Sequence, residues 1–477
     1  MSESLKSKAI SGIIWSTIER FSAQGLQFIV MIIMARLLMP NDYGLIGMLA
    51  IFMAIAQSLV DSGFSSALIR KINCSEDDYS TVFFFNIGIG FILFVILFFL
   101  APYISIFYEN KKLDILTKVI SLNIFINSLS VVQRAILTRR LDFKTQAKAS
   151  FIAVFISGIA GIILAFRNFG VWALVFQGLI FNIINTVLLW VFSRWFPQFI
   201  FSMISFRNLF SFGSKLLMSG LIEVVYMNLY TITIGKCFSV SDVGYFTRAD
   251  NFSQFPSTNI MGIVQRVTFP IFSQMQKDKK QLTICYRRFV RLVAYIIFPL
   301  MIGLTVVAYP FIEVLLGSEW KYTAVLLQIL CLSYMWYPIH AINLNLLEVY
   351  GRSDLYLKLQ IIKKIIGVVI LIVTIPYGLV AICYSLVFSS YFALIINSYY
   401  TYKLLDFGFL QQIKDLLIVL TYSLIMGVFV HLVILYFDNP IYKLFLGSLS
   451  GLLVYFTISV LLKSRELREL YLLIKRK

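Results

Sequence analysis

Arg20, Lys215, Arg248 and Arg266 stand inside long apolar runs, where a charge is expensive and marks a functional site by default. Arg20, Gln24 and Gln27 fall on one helix face. Arg248 and Arg266 are eighteen residues apart, five full turns, so they share a second face, with Phe255 and Asn259 on the same stripe. Pro256 between them should kink that helix. Guanidinium and ammonium groups recognise phosphate and carboxylate through charge-assisted hydrogen bonds. The chemistry indicated is therefore recognition of an anion at membrane depth, not bond making. Glu19, Asp61 and Glu223 are candidates for ion pairing or ion coupling. Arg266 also has a plain alternative, snorkelling to headgroups near its helix end.

Other chemistries find no support in the residues. His340 and His431 are too far apart for a shared site, and His340 reads as a bonded interior histidine. The five cysteines are odd in number and widely spaced, so no disulfide framework or metal site is indicated. There is no phosphate loop of the GxxxxGK[ST] type, no HExxH and no GxSxG. No enzyme activity, catalytic residue, metal or cofactor is expected.

The elements that must hold these side chains are membrane helices. The chain has 477 residues, 60% hydrophobic and 13% charged, against about 25% charged in soluble domains. Solid runs such as Phe91–Leu100 exclude the alternating pattern of a membrane barrel. The reading is an all-α polytopic membrane protein with about fourteen transmembrane helices. The first two run over 10–36 and 43–68, the seventh and eighth over 209–235 and 242–270, and the last two over 413–436 and 441–462. The net charge of +18 lies in short loops between spans, which positive-inside bias explains without nucleic acid. That bias places both termini in the cytoplasm.

The first hairpin has an echo about 200 residues on. Asp42-Tyr-Gly44 recurs as Asp242-Val-Gly244, Asn185 as Asn397, Gly170 as Gly378, and Ala101-Pro102 as Tyr309-Pro310. The inferred organisation is two pseudo-symmetric six-helix lobes, 1–205 and 206–405. Residues 406–477 add two helices and a basic amphipathic tail. A parallel repeat of this kind places a substrate site between its halves. The polar residues concentrate on helices 1, 2, 7 and 8, the leading hairpin of each half. A hydrated cavity there would line up Arg248, Arg20, Lys215 and Arg266 as a cationic ladder.

Ala35–Phe52, Leu59–Lys71 and Tyr245–Gln276 carry a resemblance. They are similar to the Wzx-type, WzxC-like polysaccharide flippases, in the superfamily of the MATE extruders and lipid II flippases. The resemblance implies a MATE-like fold and movement of an undecaprenyl-pyrophosphate-linked oligosaccharide from inner to outer leaflet by alternating access. It implies a bacterial inner-membrane location and a role in exopolysaccharide, capsule or O-antigen synthesis. Membrane lipids surround such a protein, and a polysaccharide polymerase and chain-length machinery are candidate partners. Arg20 and Arg248 match the placement of cationic cavity residues in the relatives. The lipid II flippases also use an arginine on the second helix, and here the position equivalent to Arg248 is Met48. A cation-coupled multidrug exporter is the alternative, and it would favour an acidic cavity.

Overall fold

The computed structural model describes residues 24–61 and 63–475. Arg20 and Glu19 lie outside the described residues, as does the side chain of Lys215. Among the described residues there are helices and no strands, so the all-α reading holds. The order is α1 (Gln24–Leu37, its described part), α2 (Pro40–Asp61), α3 (Phe64–Arg70), α4 (Glu76–Phe107), α5 (Lys112–Ser128), α6 (Val131–Arg139), α7 (Phe143–Phe166), α8 (Val171–Ser193) and α9 (Met203–Cys237). Then come α10 (Val240–Met275), α11 (Lys279–Val306), α12 (Ala308–Leu315), α13 (Lys321–Tyr334), α14 (Tyr337–Val349), α15 (Ser353–Thr374), α16 (Leu379–Leu405), α17 (Phe409–Tyr436), α18 (Pro440–Leu461) and α19 (Arg465–Lys475). Among the described residues, eleven spans are long and apolar enough to cross a bilayer. They include α2–α3, α5–α6 and α13–α14, each taken as one interrupted span. The chain is a multi-pass membrane protein, and α1, α9 and α10 are helical where the first, seventh and eighth spans were expected.

Helix starts follow local chemistry. Ser75 and Asp78 make a reciprocal capping box on α4, and Glu76, Asp77 and Asp78 place negative charge at the positive end of its dipole. Asp142, Ser202, Asp278 and Asn439 cap α7, α9, α11 and α18. Gly170 and Gly378 open α8 and α16 with φ of 55° and 93°, a region only glycine enters freely.

Two compact units are formed, Met1–Gly244 and Tyr245–Lys477. The sequence repeat places α9 in the second half, whereas its packing places it in the first unit. The reason is a long antiparallel contact with α2, made close by small residues. A Cβ on Gly235 would lie 3.1 Å from Met48, one on Gly220 3.8 Å from Ser58, and one on Gly63 2.5 Å from the carbonyl of Gly213. Next to the Gly63 contact, Phe64, Leu68, Phe83, Val132 and Trp195 form an apolar core. Arg139 on α6 closes the same end by donating to the carbonyls of Leu68, Lys71 and Ile72, so it is a helix-end cap, not a free loop cation.

In the second unit α17 packs on both α11 and α18. Asp415 of α17 accepts from Arg287 Nε at 2.8 Å and from Arg291 Nη2 at 2.6 Å. A buried network joins four helices: Tyr286 donates to Asn343 at 2.8 Å, Thr401 donates to the same oxygen, and Gln412 does so at 3.2 Å. The amphipathic tail helix α19 is tied to α11 by Glu469 and Arg288, 2.9 Å apart.

Candidate functional site

The two Asp-x-Gly motifs are built alike. Asp42 accepts from the amide of Met39 at 3.1 Å, and Asp242 from the amide of Ser239 at 3.0 Å. Each aspartate thus satisfies an orphan N–H at the start of its helix, α2 or α10. The two starts also touch. A Cβ on Gly44 would lie 1.8 Å from the carbonyl oxygen of Val240, and one on Gly244 would lie 2.0 Å from that of Pro40. The contact is reciprocal, backbone against backbone, and glycine is required on both sides. Beside it Lys236 on α9 pairs with Glu109 at 2.8 Å. This ammonium holds the Glu109 carboxyl below the usual carboxylate range.

Arg248 follows Gly244 by about one turn along α10. Within that helix, Ala249, Ser253, Ser257, Val264, Thr268 and Phe272 are buried. The opposite stripe is not: Arg248 and Asn259 are half-buried, while Phe255 and Arg266 are exposed. The four residues that sequence phasing put on one face therefore share an accessible face in the structure. Asn259 donates its amide to the Phe255 carbonyl at 2.8 Å, leaving its carbonyl oxygen as the group on offer.

The remaining expected residues scatter. Gln24 is half-buried and Gln27 exposed on α1. Asp61 is exposed at the last position of α2, and Glu223 is exposed on α9. Gln57, which helical spacing pairs with Asp61, instead accepts from Asn127 of α5 at 3.2 Å. Met48, at the position equivalent to Arg248, is fully buried against α9 and has no room for a cation. His340 is bonded as expected, with Nε2 3.1 Å from Ser390 Oγ. Among the described residues no group of His, Cys, Asp and Glu side chains is arranged to hold a metal.

Sequence reasoning missed Asp250. It sits two residues from Arg248, about 200° round the helix, so it points to the packed side. Tyr334 donates to its Oδ1 at 2.7 Å. The available signal was Pro338, four residues after Tyr334, which marks a break in a membrane helix.

Comparison with known proteins follows the same lines. The family described as "Polysaccharide biosynthesis protein" matches residues 33–325. The chain is 26% identical to the lipopolysaccharide biosynthesis protein WzxC of Escherichia coli K12, over 76% of this chain and 74% of the relative. It is 26% identical to the succinoglycan biosynthesis transport protein ExoT of Rhizobium meliloti, over 67% of this chain and 65% of the relative. Its fold is similar to that of a solved structure described as the lipid II flippase MurJ, inward closed conformation. That match has a TM-score of 0.77 and 17% identity, covering 94% of this chain and 98% of the other.

Proposed function

Because this chain belongs to the polysaccharide biosynthesis protein family, we propose that it is a flippase for a lipid-linked oligosaccharide. The cargo is a glycan on a polyprenyl pyrophosphate, moved from the inner to the outer leaflet of a bacterial plasma membrane by alternating access. The product feeds exopolysaccharide, capsule or O-antigen assembly, alongside a polymerase and chain-length machinery. Residues 1–205 and 206–405 act as the two lobes, residues 406–477 add the last hairpin and tail, and both termini face the cytoplasm.

The observation that carries this reading is the accessible stripe of α10. Half-buried Arg248 and exposed Arg266 share one stripe with an amide between them, which suits a ligand with separated anionic and hydroxyl groups. Arg20, Lys215, Gln24 and Gln27 are assigned to the same path from the sequence. The guanidinium of Arg248 would meet the pyrophosphate or an acidic sugar, while the polyprenyl chain stays among lipids. Met48 removes one cation found in the lipid II flippases, so the phosphate grip rests on α10 and α1. Glu19, Asp61 and Glu223 are then ion-pairing partners or ion-coupling acids.

Replacement of the chromosomal gene by Arg248→Ala tests this. Loss of a charge-assisted hydrogen bond of about 1.5–3 kcal/mol predicts polymer export reduced about 10- to 100-fold. Membrane levels of the protein should be normal, and lipid-linked precursor should accumulate on the inner leaflet. Arg248→Lys should restore part of the export. Full export with alanine at 248 overturns the assignment.

A further inference from the structure

Asp250 and Ser257 are seven residues apart on α10, two turns along one face, and both reach the same residue of another helix. Ser257 is fully buried and donates to the carbonyl oxygen of Tyr334 at 2.8 Å. Asp250 accepts from the Tyr334 hydroxyl at 2.7 Å. Tyr334 is the last residue of α13, and α14 begins at Tyr337. A helix running through this point would bond the amide of residue 338 to the carbonyl of residue 334. Residue 338 is proline, which has no N–H, so the Tyr334 carbonyl is released and Ser257 takes it. Thus α10 grips the interrupted helix twice, once through the Tyr334 carbonyl and once through its phenol.

Of the two grips only one carries a titratable group. Among the described residues no cation pairs with the Asp250 carboxyl, and Tyr334 is its one hydrogen-bond partner. Asp250 points to the packed side of α10, so its proton exchanges only when the α10–α13 contact loosens. The Cys383 thiol faces it from α16. Across the break, His340 of α14 bonds Ser390, which donates to the Ser333 carbonyl at 3.1 Å, and Lys363 faces that histidine from α15.

We propose that Asp250 is a proton-exchanging latch that sets how firmly α10 holds the break between α13 and α14. The exchange is one proton: the acid O–H bond breaks, the electron pair stays on the carboxylate and the proton leaves to water. As carboxylate, Asp250 makes a charge-assisted bond to the phenol, about twice as strong as a neutral one. As acid, it makes only the weaker bond, so of the two α10 bonds to Tyr334 only the one from Ser257 keeps its strength. The latch does not depend on the identity of any cargo.

The test uses the full chain in lipid nanodiscs, in a cysteine-free background, with spin labels at Tyr322→Cys and Glu348→Cys on the two arms of the break. Both positions are exposed. The expected result is a distance distribution that broadens as pH falls. Asp250→Asn and Tyr334→Phe should each show the broad, acid-like distribution at every pH. His340→Gln should keep the response. Infrared absorption of the carboxylic acid, present in wild type at low pH and missing in Asp250→Asn, assigns the proton to this group. A pH-independent distance in wild type overturns the proposal. So does a response that survives Asp250→Asn, or one that vanishes in His340→Gln. None of these readouts involves transport, so their failure leaves the flippase reading standing.

Discussion

Substitution of Gly44 by alanine probes the crossing of α2 and α10 most directly. The added Cβ would sit 1.8 Å from the carbonyl oxygen of Val240, where such contacts do not fall below 3.0 Å. The two backbones must therefore separate by at least 1.2 Å. A side chain could rotate away, but a carbonyl inside the first turn of α10 cannot. Overpacking in a close-packed interior costs about 1–3 kcal/mol. Alanine in place of glycine returns up to about 1 kcal/mol of helix propensity. A net loss of about 2 kcal/mol is expected, read as a lowered midpoint of thermal unfolding of the detergent-solubilised protein. Gly262→Ala, in the same helix class but with nothing within 4 Å of the new methyl, should be neutral or stabilising. Gly244→Ala meets the carbonyl of Pro40 at 2.0 Å and should cost as much as Gly44→Ala. Because one separation relieves both clashes, the double variant should cost far less than the two singles together. Full additivity would refute the reciprocal contact, and so would a Gly44→Ala protein as stable as wild type.

Other outcomes follow from the ion pairs and caps. Asp415→Asn leaves Arg287 and Arg291 without their shared carboxylate. Since Arg287 is 44% exposed, the loss should be about 2 kcal/mol, below the range for fully buried pairs, and faster hydrogen exchange in α17 and α18 would report it. Arg139→Ala removes donors from three carbonyls at the end of α3. It also removes the guanidinium that contacts Cys74 Sγ and favours its thiolate against burial, which pushes the thiol up, so alkylation of Cys74 should slow several-fold. In the unaltered protein, Cys237, exposed at the end of α9, should react first and the buried Cys331 and Cys383 last. The Glu109–Lys236 pair lowers the Glu109 pKa on folding. Its contribution is present above the unfolded carboxylate range and is lost as pH falls through the depressed value. Crosslinking of Glu109→Cys with Lys236→Cys should succeed at neutral pH, and failure would place the two ends apart.

Much of the architecture was legible in composition and periodicity. A bilayer admits only helices or closed barrels, so solid apolar runs were enough to assign an all-α polytopic chain. The stripe of Arg248, Phe255, Asn259 and Arg266 was legible for the same reason, since helical phase is a local property that Pro256 did not erase. The echo of Asp42 and Asp242 was visible because each aspartate serves a residue three positions away.

Contacts between distant segments were not legible. Nothing near Gly44 in the chain announces that its missing side chain makes room for Val240, because that demand arises only when two helix starts cross. Gln57 turned from Asp61 to Asn127 because a tertiary amide partner outweighs two side chains that merely share a face. Asp250 drew no notice beside Arg248, since its meaning lies in Tyr334 and in a carbonyl released by Pro338. Local sequence determined which segments are helices and which face each residue takes. Tertiary structure alone decided which polar groups on those faces found partners, because partners come from elements dozens of residues away whose approach is set by packing.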